Sequence, residues 1–301
     1  NQGDYVCRVR GRLRRGRAEG DLVAVGDRVK ISVNADGSGN IDEVLPRKTV
    51  LSRQLSGVSY DYQQIILANP DQVLIVFAVR QPDPRLRMLD RFLVVCERGH
   101  IPAVIVANKV DLVDQTYAES LFEPYEKIGY PVIYASAYSG EGVEELRSLL
   151  PGKITTFAGP SGVGKTSLMR TICGLMPAES GDILWSGASI QQARDEFHQN
   201  LCYLGHQNAL QEAATVQDNL RFLGSLKGLA FDDADIQLAL TQFGLSGSAK
   251  RLVRHLSQGQ KRRVVLSQLV LSQAALWVLD EAFVSLDEAG QGILTALITT
   301  H

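Results

Sequence analysis

Gly159-Pro160-Ser161-Gly162-Val163-Gly164-Lys165-Thr166 has the spacing G-x-x-x-x-G-K-[ST]. This spacing suits a triphosphate: successive backbone N–H groups cradle the phosphates, the lysine reaches the outer ones and the hydroxyl holds Mg²⁺. Gly159, Ser161, Gly162, Gly164, Lys165, Thr166 and Ser167 form the candidate phosphate-binding set, with Thr166 as a Mg²⁺ ligand. The flanks agree. Lys153 to Phe157 predicts a short strand entering the loop. Ser167 to Leu175 predicts a helix leaving it, positive N-terminus toward the anion.

Asn108-Lys109-Val110-Asp111 ends another apolar strand. A carboxylate at Asp111 can accept from both the ring N–H and the exocyclic amine of guanine. Adenine lacks that donor pair and would leave the charge unpaired. Asn108 and Lys109 would brace the base-binding loop, and a backbone N–H of Ser136-Ala137, one strand later, would meet the guanine carbonyl. The competing reading is a helix start that Asp111 merely caps.

Elements of two kinds must position these residues. Residues 1 to about 50 read as short strands (Tyr5 to Arg10, Leu22 to Val25, Arg28 to Ile31) cut by turns such as Asn34-Ala35-Asp36-Gly37, which suggests a small OB-like barrel. Arg8, Arg10, Arg12, Arg14, Arg15 and Arg17 could meet RNA phosphates or form a solvated strand face, and the residues favour neither. Residues 51 to 70 read as a polar connector. From 71 onward strands at Val73 to Val79, Ala103 to Ala107 and Pro131 to Ala135 alternate with helices at Arg87 to Arg98, Ala118 to Ile128 and Gly142 to Leu150. That is the grammar of a doubly wound parallel sheet.

The balance of 31 basic against 33 acidic residues excludes wholesale attraction to nucleic acid or membrane. No apolar run approaches the roughly 20 residues of a spanning helix, and no signal peptide is visible. Cys7, Cys96, Cys173 and Cys202 are too scattered for a metal pair or a disulfide framework. They suit a reducing cytoplasm, as buried thiols.

Motif order adds a resemblance. Ordinary GTPases carry the phosphate loop ahead of N-K-x-D, whereas here Asn108 to Asp111 and Ser136-Ala137 precede it. With Leu45-Pro46-Arg47-Lys48, Pro82-Asp83-Pro84 and Leu89-Asp90-Arg91-Phe92-Leu93, residues 1 to about 168 resemble the circularly permuted ribosome-assembly GTPase family, RsgA or YjeQ. The resemblance implies guanine-nucleotide binding, and contact of the barrel with rRNA or the small ribosomal subunit. It also implies a D-T-P-G switch and a zinc domain after the loop. The D-x-x-G there is Asp287-Glu288-Ala289-Gly290, which belongs to another motif, and no cysteine–histidine cluster exists, so no zinc is expected.

Residues about 159 to 301 resemble the ABC transporter ATPases, and within them the CcmA haem-export family, through Asp195 to Gln199, Tyr203-Leu204-Gly205-His206-Gln207, Asp218 to Phe222 and Leu276 to Glu281. The resemblance makes Gln207 the glutamine that touches Mg²⁺ and the attacking water. Leu256-Ser257-Gln258-Gly259-Gln260 becomes the signature, whose Ser257 and Gly259 bind the γ-phosphate held by the opposite subunit of a head-to-tail dimer. Asp280 would hold Mg²⁺ through water, Glu281 would be the general base, and His301 the switch histidine. A membrane permease would be the partner. The usual N-terminal β-subdomain with its adenine-stacking aromatic is replaced here, and Ala282 stands where proline is usual. Too few positions separate Asp287 from His301 for the customary helix, turn and strand, so either the helix or the strand is lost and disorder is expected near 285–301. Between Gly159 and Arg170 both families share sequence, and the seam lies there.

The sequence thus predicts an α/β phosphate-loop NTPase: an OB-like barrel over 1–58, a permuted GTPase-like half over 59–158, and the loop with an ABC-like half and helical subdomain over 159–301. The expected activity is Mg²⁺-dependent hydrolysis of ATP or GTP by a cytoplasmic chain, peripheral at the inner membrane if a permease is engaged. The alternatives are a guanine-nucleotide and rRNA-binding module without efficient hydrolysis, and a fused chain competent in neither role.

Overall fold

A computed structural model describes residues 7–9, 23–34, 38–54, 63–177, 183–185 and 187–301. The chain divides into two compact units, which meet in sequence between Ile183 and Leu184.

In the first unit, strands β1 (Cys7–Val9), β2 (Val29–Val33) and β3 (Gly39–Val44) form one sheet in the order β1-β3-β2, and β4 (Val50–Gln54) pairs antiparallel with β5 (Gln63–Ala68). Among the described residues these strands close no barrel. The arginine cluster at 10–17, the side chain of Arg8 and the turn at 35–37 lie outside the described residues. Two expectations change. The connector at 51–70 contains the β4–β5 pair, in which Ile65 and Leu67 turn inward while Ile66 is exposed. Of the strand expected at 22–25, Leu22 lies outside the described residues and 23–25 form a tight turn, closed by Ala24 N–H donating to Asp27 Oδ2 at 2.7 Å. Arg47 then grips Asp27 with two bonds, from Nε at 2.6 Å and Nη2 at 2.7 Å, so this part of the L-P-R-K stretch is structural.

Next come β6 (Gln72–Ala78), α1 (Leu86–Arg98), β7 (Ala103–Asn108), α2 (Gln115–Lys127), β8 (Val132–Ala135), α3 (Val143–Ser148), β9 (Thr155–Ala158) and α4 (Lys165–Ile172). The four strands form the predicted parallel sheet, in the order β8-β7-β6-β9. Every residue of β6 is buried, as its unbroken apolar run requires. Helix α1 buries Leu89, Leu93 and Cys96, one stripe at helical spacing. Because all four strands run parallel, Asn108, Ala135 and Ala158 leave the sheet along one edge, where α/β proteins bind ligands.

The second unit contains β10 (Leu184–Trp185), β11 (Ala188–Ser189), α5 (Arg194–Gln199), β12 (Leu201–Leu204), α6 (Val216–Ser225), α7 (Asp233–Gln242), α8 (Gln258–Leu266), α9 (Gln268–Ser272), β13 (Leu276–Leu279) and α10 (Glu288–Thr300). Strands β12 and β13 pair in parallel, and their core includes Cys202, Phe243, Leu266 and Leu294. A helical core gathers Leu220, Ile236, Leu240 and Leu256. Where disorder was expected there is a helix: α10 starts on Asp287, whose side chain accepts from Gly290 N–H at 3.0 Å. Among the described residues no helix is long and apolar enough to cross a membrane.

Candidate functional site

The phosphate loop bridges β9 and α4. Gly159, with φ 139°, passes so close to β6 that a Cβ there would lie 2.2 Å from Val76 O. Gly164, with φ 96°, caps α4, and a Cβ would lie 2.4 Å from Asn108 Nδ2. These are the places where the loop must be glycine. Lys165 Nζ donates to Gly159 O at 2.8 Å and Pro160 O at 2.5 Å, holding the ammonium against its own loop. Thr166 and Ser167 occupy the first turn of α4, so their N–H groups face the helix's positive end.

The N-K-x-D segment touches this loop directly. Asn108 is buried and donates from Nδ2 to Val163 O at 2.7 Å, while its Oδ1 has no partner among the described residues. Lys109, in the left-handed region at φ 67°, reaches from Nζ to Gly162 O at 2.9 Å and also to Gln81 O. The pair therefore braces the phosphate loop, where bracing of the base-binding loop was expected. Asp111 is exposed, and its Oδ1 accepts from Ser136 Oγ at 2.5 Å. Asp111 does not cap a helix through its side chain: it lies in a short 3₁₀ turn with no side-chain cap.

The companion loop is ordered by Ser136. Its amide donates to Glu141 O at 2.9 Å, and its Oγ accepts from Tyr138 N at 3.1 Å and Ser139 N at 3.0 Å. Ala137 N–H is the amide of this loop with no acceptor among the described residues, whereas the Ser136 N–H is already used. Thr171, on the buried face of α4, donates to Ala137 O at 3.0 Å and so ties the base loop to the phosphate helix. Sequence reasoning missed it. The available signal was a polar residue between Leu168 and Ile172 on an apolar stripe.

In the second unit the carboxyl ends of β12 and β13 lie side by side, with Leu204 paired to Leu279. Exposed Gln207 follows one end, and buried Asp280 with exposed Glu281 follows the other. Asp280 N–H donates to Leu204 O at 2.8 Å, and Tyr203 OH lies 3.5 Å from its Oδ2. Glu281 adopts φ 54°. Arg262, which sequence reasoning also passed over, is buried against this turn. Burial pulls its guanidinium below the usual arginine range, and the charges of Asp280 and Glu281 oppose that shift. As oxygen donors the Thr166 hydroxyl and the Asp280 carboxylate both suit Mg²⁺. Among the described residues no group of three or more His, Cys, Asp or Glu side chains could hold a metal.

The signature residues divide their work. Leu256 packs into the helical core, and Gln258 is the first residue of α8. Ser257 and Gln260 form a capping box, with Gln260 N–H donating to Ser257 Oγ at 3.2 Å and Ser257 N–H to Gln260 Oε1 at 3.0 Å. Gly259 lies close to Ser285, where a Cβ would come within 3.2 Å of the carbonyl. His301 departs from its expected place. It ends α10 stacked on Trp277 at 3.9 Å, with Nε2 3.2 Å from Ala275 O. Ala275 precedes β13 and Asp280 follows it, so the histidine is at the wrong end of the strand, roughly 16 Å away at about 3.3 Å per residue. The physical reason is that α10 takes up the residues from 288 to 300 as helix.

Comparison with known proteins finds two families. The RsgA GTPase family model matches residues 44–186, and the ABC transporter family model matches residues 147–284. The two overlap across the phosphate loop. A cytochrome c biogenesis ATP-binding export protein CcmA from Albidiferax ferrireducens is 59% identical over 144 residues, 48% of this chain and 69% of that protein. A small ribosomal subunit biogenesis GTPase RsgA from Alkaliphilus metalliredigens is 42% identical over 185 residues, 61% of this chain. The chain spans 59% of that relative's length. Among solved structures, YjeQ from Thermotoga maritima is 35% identical with a TM-score of 0.44, covering 61% of this chain and 63% of its own. Through its second half the chain belongs to the ABC transporter ATPases of the CcmA kind, and with the RsgA GTPase pattern of its first half it is a hybrid P-loop nucleoside triphosphatase.

Proposed function

We propose that the chain binds a nucleoside triphosphate on Gly159 to Ser167, reads its base with Asp111 and the Ala137 N–H, and hydrolyses it with the ABC-type residues. The supporting observation is the bonding between base loop and phosphate loop: Asn108 to Val163, Lys109 to Gly162, and Thr171 to Ala137. A guanine read by Asp111 then belongs to the nucleotide whose phosphates meet Lys165. In the second unit Glu281 is the base that takes a proton from water, and Gln207 orients that water. His301 leaves the catalytic set for the reason given above. Thr166 in the first unit and Asp280 in the second are each an oxygen donor suited to Mg²⁺, which when bound supplies charge neutralisation at the phosphates. Ser257 and Gly259 act in trans in a head-to-tail dimer. The test is turnover: Glu281→Gln should lower hydrolysis about 10²-fold or more, to a residual rate still measurable in single turnover, and leave nucleotide affinity unchanged, whereas full turnover in that variant would remove the assignment.

A second reading follows from the CcmA likeness. Adenine would then be the base, with Asp111 idle, and a membrane permease the partner. The RsgA likeness adds rRNA or the small ribosomal subunit as a partner of the β-rich segment. The chain is placed in the cytoplasm on these readings, peripheral at the inner membrane on the permease reading.

A further inference from the structure

Helix α8 carries adjacent arginines that no nucleotide role above uses. Arg262 is 2% exposed. Its Nη1 donates to Gly205 O at 2.8 Å, its Nη2 to Glu281 O at 3.1 Å and Asp280 O at 3.3 Å, and its Nε to Ala282 O at 3.4 Å. All four acceptors are main-chain carbonyls on two separate segments. Burying a guanidinium costs hydration, and a well-packed apolar side chain would fill the space without that cost. The placement therefore points to the backbone that the fork holds.

That backbone is functional on both sides. Gly205 lies two residues before Gln207. The Asp280–Ala282 turn includes Glu281 in a left-handed conformation that side chains seldom adopt. The helix supplying the fork is capped by Ser257, and its first turn includes Gly259. Arg263 extends the grip, donating to Phe243 O at 3.2 Å and pairing with Asp287 Oδ2 at 3.6 Å, so α8 holds both ends of 280–287.

We infer that Arg262 is a positioning residue that couples the signature end of α8 to the general base. Its fork fixes the Asp280–Ala282 turn and the entry to the Gln207 loop relative to α8. A phosphate engaged at Ser257 and Gly259 thereby sets the aim of the Glu281 carboxylate. This rests on the hydrolytic assignment of Glu281 above. Lysine cannot substitute, because one ammonium cannot span carbonyls on two segments.

The experiment compares steady-state and single-turnover hydrolysis of ATP and GTP by the full chain and by R262K, R262Q, E281Q and R262K/E281Q, expressed per folded molecule from melting curves. Coupling predicts that R262K lowers kcat about tenfold or more at unchanged KM, with no further loss when added to E281Q. R262Q guards against a lysine-specific folding defect and should show the same split. A fall in melting temperature with kcat intact would mean a structural role only and would overturn the inference. So would losses that multiply in the double variant. Turnover indifferent to E281Q would instead sink the hydrolytic assignment itself.

Discussion

At Asp111 one carboxylate oxygen is held by Ser136 Oγ, so the side chain is oriented before any base arrives. Removing that hydroxyl leaves the charge but frees its rotamer. Ser136→Ala should therefore weaken guanine-nucleotide affinity about tenfold, the equivalent of one hydrogen bond to a charged group. Competition titration with GDP checks this, and unchanged affinity would mean that Asp111 needs no support. Gly164 poses a backbone question. Its φ of 96° and the 2.4 Å approach of Asn108 Nδ2 leave no room for a methyl group. Gly164→Ala should cost about 1–2 kcal/mol from the left-handed backbone alone, and should displace the Asn108 amide from Val163. Thermal melting reads the first effect and nucleotide affinity the second.

At the scale of elements, α8 depends on its capping box. Ser257→Ala removes the acceptor for Gln260 N–H and should cost about 1 kcal/mol, a drop of roughly 2–4 °C in Tm for a chain of this size. A larger loss of turnover than of stability would separate its phosphate role from its cap. The elements also explain what was legible. Strand β6 was readable because burial on both faces leaves an unbroken apolar run. The β4–β5 pair was hidden because Ser52, Gln63 and Gln64 interrupt any alternation. The phosphate-loop and base-loop candidates could be named from sequence because their residues sit in short runs, at 159–167, 108–111 and 136–137. Thr171 and Arg262 were not, since their partners are main-chain carbonyls, which leave no motif. His301 misled because its place in the motif order says nothing about which end of β13 a terminal helix residue reaches.

Across the molecule, the same logic applies to its cysteines. Burial, with Glu97 adding, pushes the Cys96 thiol up to about 11, and burial pushes Cys173 up to about 12 against the opposing pull of Arg147. Cys202 is also raised by burial. These thiols stay protonated at pH 8, so iodoacetamide should alkylate them only as fast as the chain unfolds. Rapid labelling of all of them in the native chain would contradict the packing described here. The hybrid character itself turns on one question, whether the first half chooses the base for the shared loop. The direct measurement is equilibrium binding of fluorescent GDP and ADP analogues to the full chain, each competed with the other nucleotide, repeated with Asp111→Ala and Lys165→Ala. The account predicts guanine preference that Asp111→Ala abolishes, by about 3 kcal/mol or 10²-fold for two bonds to a charge, and binding that Lys165→Ala removes altogether. Adenine preference indifferent to Asp111, or no binding by any form, would contradict it.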